Sequence, residues 1–148
     1  FKRVHETTLQ WYRGRWDALT INPQETNDAT ARTVRRKERP THMGEIADST
    51  YTSHDGGPRL MRSVLYVRSM HGSAIHPSEK PVGILDPIIR YSTNPGDLIL
   101  DPFGGSCSTA RAARAAGRRA ICIEANESYL EAAVKALAQG DLFAEHAP

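Results

Sequence analysis

Residues 98–124 predict an α/β fold built on parallel strands. A short apolar run, Leu98, Ile99 and Leu100, ends in Asp101, and a turn of Pro102, Phe103, Gly104, Gly105 and Ser106 follows it. An Ala-rich segment stopped by Gly117 then leads to a second apolar run, residues 120–123, which ends in Glu124. Strand, glycine turn, helix and strand in this order make the crossover unit of parallel sheets. The continuous apolar run predicts a strand covered on both faces. Gly104 and Gly105 let backbone approach a ligand at the carboxyl end of the first strand, where open α/β sheets bind. Ser106 or Ser108 stands where a helix cap is needed, and Gly117 supplies a left-handed stop.

The two acids narrow the ligand. Glu124 lies 23 positions after Asp101, close to the roughly 20-residue spacing at which an acid meets ribose hydroxyls in nucleotide-binding units. A pyrophosphate needs a helix N-terminus free of carboxylates, and Asp101 at the mouth of the turn would repel it. Neither G-x-G-x-x-G nor G-x-x-x-x-G-K-[ST] occurs, which argues against a dehydrogenase or a P-loop enzyme. A nucleoside carrying a cationic sulfonium and no phosphate suits two acids at strand ends. That nucleoside is S-adenosylmethionine.

In chain order, residues 1–13 alternate Leu9 and Trp11 with Gln10 and Tyr12, the pattern of a strand. Residues 22–59 are poor in large apolar side chains, carry R-R-K-E-R at 35–39 and keep no period. A long loop is predicted there, and loops of that length are functional or disordered. Residues 63–68, S-V-L-Y-V-R, are β-branched and alternating, which predicts a returning strand. A polar, proline-bounded loop at 76–80 precedes a helix over 81–91, with Pro in its first turn and Val82, Leu85, Ile88 and Ile89 on one face. The N-P-G-D turn at 94–97 delivers the chain into the central strand. After Glu124, Asn126 caps a helix of about twelve residues with Tyr129, Leu130, Ala133, Val134 and Leu137 inward, ending at Gly140 before a frayed tail at 141–148.

Composition bounds the rest. The length of 148 residues fits one domain with a real core. No run approaches the ~20 apolar residues of a membrane span, and no signal peptide is visible. Cys107 and Cys122 lack metal-ligand spacing and read as small buried thiols of a reducing compartment. Residues 1–75 hold 12 Lys and Arg against 8 Asp and Glu, whereas residues 76–148 hold 7 against 9. A basic front and an acidic rear fit a nucleic-acid surface joined to a cofactor domain.

At this point the residues carry a resemblance. D-P-F-G-G-S-C-S-T-A at 101–110, preceded by H-P-S-E-K-P-V at 76–82 and N-P-G-D at 94–97, resembles the prokaryotic and phage DNA methyltransferases that methylate exocyclic amines of cytosine (N4) or adenine (N6). The arrangement is the one with the cofactor half after the catalytic half. The resemblance implies a partial class I (Rossmann-like) S-adenosylmethionine-dependent methyltransferase fold. It also implies a cytoplasmic setting in a prokaryote or phage host, no metal, and double-stranded DNA as partner. His76, Ser78 and Lys80 would meet the methionine end of the cofactor, with Lys80 on its carboxylate. Asp101, Pro102, Phe103, Gly104, Gly105, Ser106 and Glu124 would line the site, and Ala125 and Asn126 would flank adenine. Residues 1–21 would hold a sheet strand of the catalytic half, residues 22–62 a reduced target-recognition region, and residues 63–140 the cofactor portion. Arg35, Arg36, Lys37 and Arg39 are candidate phosphate contacts, with a solvated loop as the alternative. Cys107 stands where the family has a third small glycine; a positive φ there would cost a Cys backbone strain.

One motif is missing. The family holds the target amine with Asp, Asn or Ser followed by Pro-Pro and an aromatic, which stacks on the flipped base. These 148 residues contain nine prolines, no two adjacent, so no catalytic residue is assigned. His5, His42, His54 and His71 lie in polar stretches where an exposed histidine is the ordinary reading. The expectation is a truncated, split or processed chain that needs a separate catalytic half, or else an inactive module that binds cofactor or DNA.

Overall fold

The computed structural model describes residues 5–36, 49–70 and 72–144, without the side chains of Arg36, Ser49 and residues 140–144. A single 3-10 turn at Trp16–Ala18 is followed by four short strands, β1 (Glu25–Thr26), β2 (Arg32–Arg36), β3 (Ser49–Ser53) and β4 (Arg59–Leu60). Then come α1 (Val82–Ser92), β5 (Leu98–Asp101), α2 (Ser108–Ala115), β6 (Arg119–Cys122) and α3 (Glu127–Ala144). Three two-stranded ladders exist among the described residues. β1 pairs with β4 and β2 with β3, both antiparallel, while β5 and β6 run parallel with Asp101 opposite Cys122.

The core sits where α1 and α2 cover one face of β5 and β6. Ile89, Ala112, Ala113 and Ala116 are buried together, and Val82, Leu85, Ile99 and Ala120 pack around them. Alanine favours helix and lets α2 approach closely, so a run of small residues makes both the element and the interface. Gly117, at φ +75, closes α2. Its N–H donates to the Arg114 carbonyl at 2.9 Å, and the Arg118 N–H donates to the Ala113 carbonyl at 2.7 Å. This is the two-bond glycine stop.

Polar side chains complete the helix ends. Arg118 is buried and donates from Nη2 to the Thr93 carbonyl and from Nε to Thr93 Oγ1. Asn22 donates from Nδ2 to the carbonyls of Arg90 and Thr93, anchoring the front segment to the end of α1. Within α1, Pro87 has no N–H for the Gly83 carbonyl, which breaks the helix ladder locally. The N-P-G-D turn forms as expected, with Gly96 at φ +87 and the Asn94 N–H donating to Asp97 Oδ2.

Several expectations are corrected. The strand predicted at 1–13 does not form among residues 5–13; Trp11 is 87% exposed. Residues 63–68 likewise make no ladder, although Leu65 and Val67 turn inward while Val64 and Tyr66 face solvent. Alternation without a neighbouring backbone to pair with leaves an extended segment, not a strand. The loop predicted over 22–62 instead carries both antiparallel pairs, because R-T-V-R-R and S-T-Y-T-S are β-branched segments that find each other.

The parallel strands are covered on one face only among the described residues. Leu98, Leu100, Ile121 and Ile123 are exposed, while Ile99 and Ala120 meet the helices. α3 continues past Gly140 to Ala144 rather than stopping in a tail from 141. Glycine costs a helix interior only about 1 kcal/mol and ends it only when a left-handed turn follows. Ala133 is fully buried, but Leu130 and Val134 are exposed instead of inward. Of the histidines, His5 and His54 are exposed, as expected, and His42 and His71 lie outside the described residues.

Candidate cofactor site

The site forms at the carboxyl ends of β5 and β6, where the glycine turn leaves the sheet. Asp101 is fixed by its own turn: Oδ1 accepts the Phe103 N–H at 3.1 Å and Oδ2 accepts the Thr109 hydroxyl at 2.6 Å. Gly104 passes so close to β6 that its N–H donates to the Ile123 carbonyl at 2.7 Å. A Cβ there would lie 2.9 Å from Cys122 Cβ and 3.3 Å from that carbonyl, so only glycine fits. Gly105 adopts φ +53, and a Cβ on it would meet the His76 ring at 3.2 Å.

Cys107 follows with φ +54, the single non-glycine residue at positive φ among the described residues, and it occupies the N-cap of α2. The strain that the sequence assigned to this position is therefore present; a left-handed L-residue costs about 1–2 kcal/mol. Neither Ser106 nor Ser108 caps the helix; their hydroxyls bond each other at 2.9 Å. Burial pushes both the Cys107 and Cys122 thiols up, Cys122 to about 11, which keeps them protonated and unreactive near neutrality.

Glu124 joins the two strand ends. Its Oε2 accepts the Gly105 N–H and its Oε1 accepts the Asn126 N–H, both at 2.8 Å. The Asn126 N–H, followed by that of Gly105, holds the Glu124 carboxyl below the usual carboxylate range. An ionised carboxylate has about four acceptor positions, so each oxygen keeps capacity for a hydroxyl. Asn126 itself caps α3, accepting the Ser128 N–H at 3.0 Å.

The 76–80 loop lies over the turn. His76 Nδ1 accepts the Ser78 N–H at 3.2 Å and meets the Ser78 hydroxyl at 3.0 Å, while the His76 ring stands edge-on to Tyr129 at 4.4 Å between centroids. A small cavity of about 70 Å³ between loop and turn is lined by His76, Ser78, Lys80, Asp101, Phe103, Gly104, Gly105 and Ser106, eight of the sequence-predicted residues. Phe103 is 89% exposed, so it is no core residue. The other four predicted residues lie outside this lining, with Pro102, Ala125 and Asn126 exposed and Glu124 half-buried.

Lys80 has a partner the sequence did not suggest, Glu6, whose carboxylate it meets at 2.7 Å. Two further residues were missed, Glu79 and Arg111, which form a close ion pair behind the loop. Glu79 sits inside the H-P-S-E-K-P-V string, so the motif held the signal; Arg111 had none.

Of the basic run, Arg35 and Arg36 belong to β2, opposite Thr50 and Ser49 of β3, and Lys37 and Arg39 lie outside the described residues. Among the described residues no helix is long and apolar enough to cross a membrane.

The chain is similar to several known proteins. The DNA adenine methyltransferase YhdJ of Escherichia coli (strain K12) is 47% identical over 62 residues, which cover 42% of this chain and 21% of that protein. YubD of the same organism, provisionally named a methylase, is 49% identical over 67 residues, 45% of this chain and 30% of that protein. The chain thus spans a fifth to a third of these relatives. The crystal structure of the M1.HpyAVI–SAM complex aligns over 71% of this chain and 63% of its own, with a TM-score of 0.46 and 24% identity. The sequence profile of the N6/N4 methyltransferase family, described as DNA methylase, matches residues 1–135. With nine-tenths of its length inside that profile and a parallel strand–turn–helix–strand unit at its centre, the chain belongs to the N6/N4 DNA methylase family, on a Rossmann-like α/β fold.

Proposed function

We propose that this chain forms the S-adenosylmethionine-binding part of a DNA methyltransferase acting on an exocyclic amine of adenine or cytosine in double-stranded DNA, within a prokaryotic or phage-infected cytoplasm. The observation that carries the reading is the pairing of Asp101 and Glu124 at adjacent parallel strand ends, with a two-glycine turn between them. The residues fit such a ligand. Glu124 keeps acceptor capacity for ribose hydroxyls, Phe103 offers an unpartnered apolar wall, and Gly104 and Gly105 remove side chains from the approach. The enclosed cavity is far below the roughly 300 Å³ of an ordinary ligand pocket. It suits the amino-acid end of the cofactor, with the nucleoside on the open side near Phe103 and Asn126. When bound, S-adenosylmethionine supplies the methyl group on a cationic sulfur.

Transfer needs the target amine held in line with that sulfur, and such positioning supplies about 7–11 kcal/mol of barrier reduction. These residues contain no adjacent prolines, so we assign the holding of the base to a polypeptide that carries the family tetrapeptide. Calorimetry on the 148-residue chain tests the cofactor reading. It should bind S-adenosylmethionine in preference to NAD, and Glu124→Gln should weaken binding about tenfold, the loss of one charge-assisted hydrogen bond. Tighter binding of NAD would overturn the assignment. A tritiated-methyl assay on mixed-sequence DNA should show no turnover by the chain alone and turnover when a tetrapeptide-bearing half is added; turnover by the chain alone would refute the division of labour.

A further inference from the structure

The 76–80 loop carries three residues assigned to the cofactor, yet its own backbone has no ladder or helix to hold it. What holds it is Glu79. This side chain is only 1% exposed, and both of its oxygens are engaged: Oε1 accepts Arg111 Nη2 at 2.5 Å, and Oε2 accepts the Ile75 N–H at 2.7 Å. The Glu79 N–H closes the loop on itself by donating to the His76 carbonyl at 2.9 Å. Arg111 rises from the first turn of α2, one turn after Cys107, and its Nη2 also donates to Ser108 Oγ at 3.0 Å. One carboxylate thus ties the start of the loop to the helix that follows the glycine turn. The ring of His76 stands beside Gly105, 3.2 Å from where a Cβ would lie.

A buried ion pair is a poor source of stability, because desolvation offsets most of its attraction. This one is not even fully satisfied, since Arg111 Nε is buried without a hydrogen-bond partner. Its use lies in where it puts the loop. We propose that Glu79 and Arg111 are positioning residues: they latch the 76–80 loop across the glycine turn, and that latch sets affinity for the amino-acid end of the cofactor. The inference rests on the cofactor reading above and deepens it. Glu79 also borders the small cavity, but both of its oxygens are already engaged, so the pair acts on the ligand through His76, Ser78 and Lys80.

The test uses the full 148-residue chain and two neutral thioethers, S-adenosylhomocysteine and 5′-methylthioadenosine, which share the nucleoside and differ at the amino-acid end. Arg111→Met leaves a buried carboxylate unpaired, so amide exchange at residues 75–80 should accelerate at least about tenfold while residues 108–115 stay protected. Affinity for S-adenosylhomocysteine should fall about tenfold or more, and that for 5′-methylthioadenosine less than about twofold. The reversed pair, Glu79→Arg with Arg111→Glu, should recover part of both losses. If Arg111→Met also deprotects 108–115, the milder Glu79→Gln, which keeps neutral hydrogen bonds, replaces it with the same expectations in smaller measure. Unchanged exchange of the loop, or equal weakening of both thioethers, would overturn the latch. If the wild-type chain binds neither thioether, the cofactor reading fails, and the exchange result alone decides whether the pair holds the loop.

Discussion

The rear unit, residues 98–124, and the front segment, residues 5–36 and 49–70, are built with the same economy of large side chains and reach opposite results. In the rear, α2 buries Ala112 and Ala113 completely, and backbone, carboxylate and glycine contacts converge on one turn. In the front, two antiparallel pairs stand with Val34, Tyr51 and Leu60 exposed, and the buried residues are Ala29 and Ser53. The carboxylates of the ion pairs follow the same division: the Glu79 side chain is 1% exposed and that of Asp28 60%, while their partners Arg111 and Arg59 are alike at 28% and 24%. Burial is what makes residue identity matter. Where backbone approaches backbone within a side chain's width, few residues fit; where solvent lies on one side, many do.

The largest test of that contrast is volume. Ala113→Leu adds three carbons at a fully buried position between α1 and β6, which should cost about 1–3 kcal/mol, or about 3–10 °C in thermal midpoint for a chain of this size. Ala31→Leu, exposed before β2, should stay within about 0.5 kcal/mol. Thermal unfolding of both variants checks the pair. Equal losses would mean that the front packs more tightly in solution than its exposure says.

A smaller effect separates the two ion pairs by pH. Burial pushes the Glu79 carboxyl up, and the Arg111 guanidinium and the Ile75 N–H more than reverse it, so its folded pKa lies below the ordinary 4.5. A depressed carboxylate adds stability above its unfolded value, and that contribution disappears as pH falls through the folded value. Thermal midpoints measured from pH 7 to pH 3 should therefore drop below about 4.5 in the wild type and drop less in Glu79→Gln. The Asp28 carboxyl is also held low, by Arg59 and Thr26, but its side chain is mostly exposed. Screening makes an exposed pair worth little, so Asp28→Asn should leave the profile unchanged. A flatter profile in Asp28→Asn than in Glu79→Gln would invert the comparison.

Legibility in the sequence follows the same line. Gly104, Gly105 and Gly117 were readable because each answers a geometric demand: a 2.9 Å approach to Cys122, a ring at 3.2 Å, and a left-handed stop. Asp101 and Glu124 were readable because strand ends fix where acids sit. The strain at Cys107 was readable from the glycine it replaces. The alternation at 9–12 and 63–68 misled, since a period of two describes which way side chains point and says nothing about whether a partner strand exists. Gly140 misled because a glycine alone does not end a helix. Arg111 was invisible: its partner lies 32 positions away, and pairing across that distance leaves no local pattern.

The smallest expected effect concerns DNA, for which the basic run at 35–39 is the candidate contact. If Arg35, Arg36, Lys37 and Arg39 neutralised four phosphates together, each would add about 0.9 to the slope of log affinity against log salt. Arg35→Ala, measured by titrating a labelled duplex at several salt concentrations, should lower that slope by about one. A variant with alanine at all four positions and an unchanged slope would leave the run as a solvated strand end, and the DNA surface would have to be sought among the other cations of the basic front half.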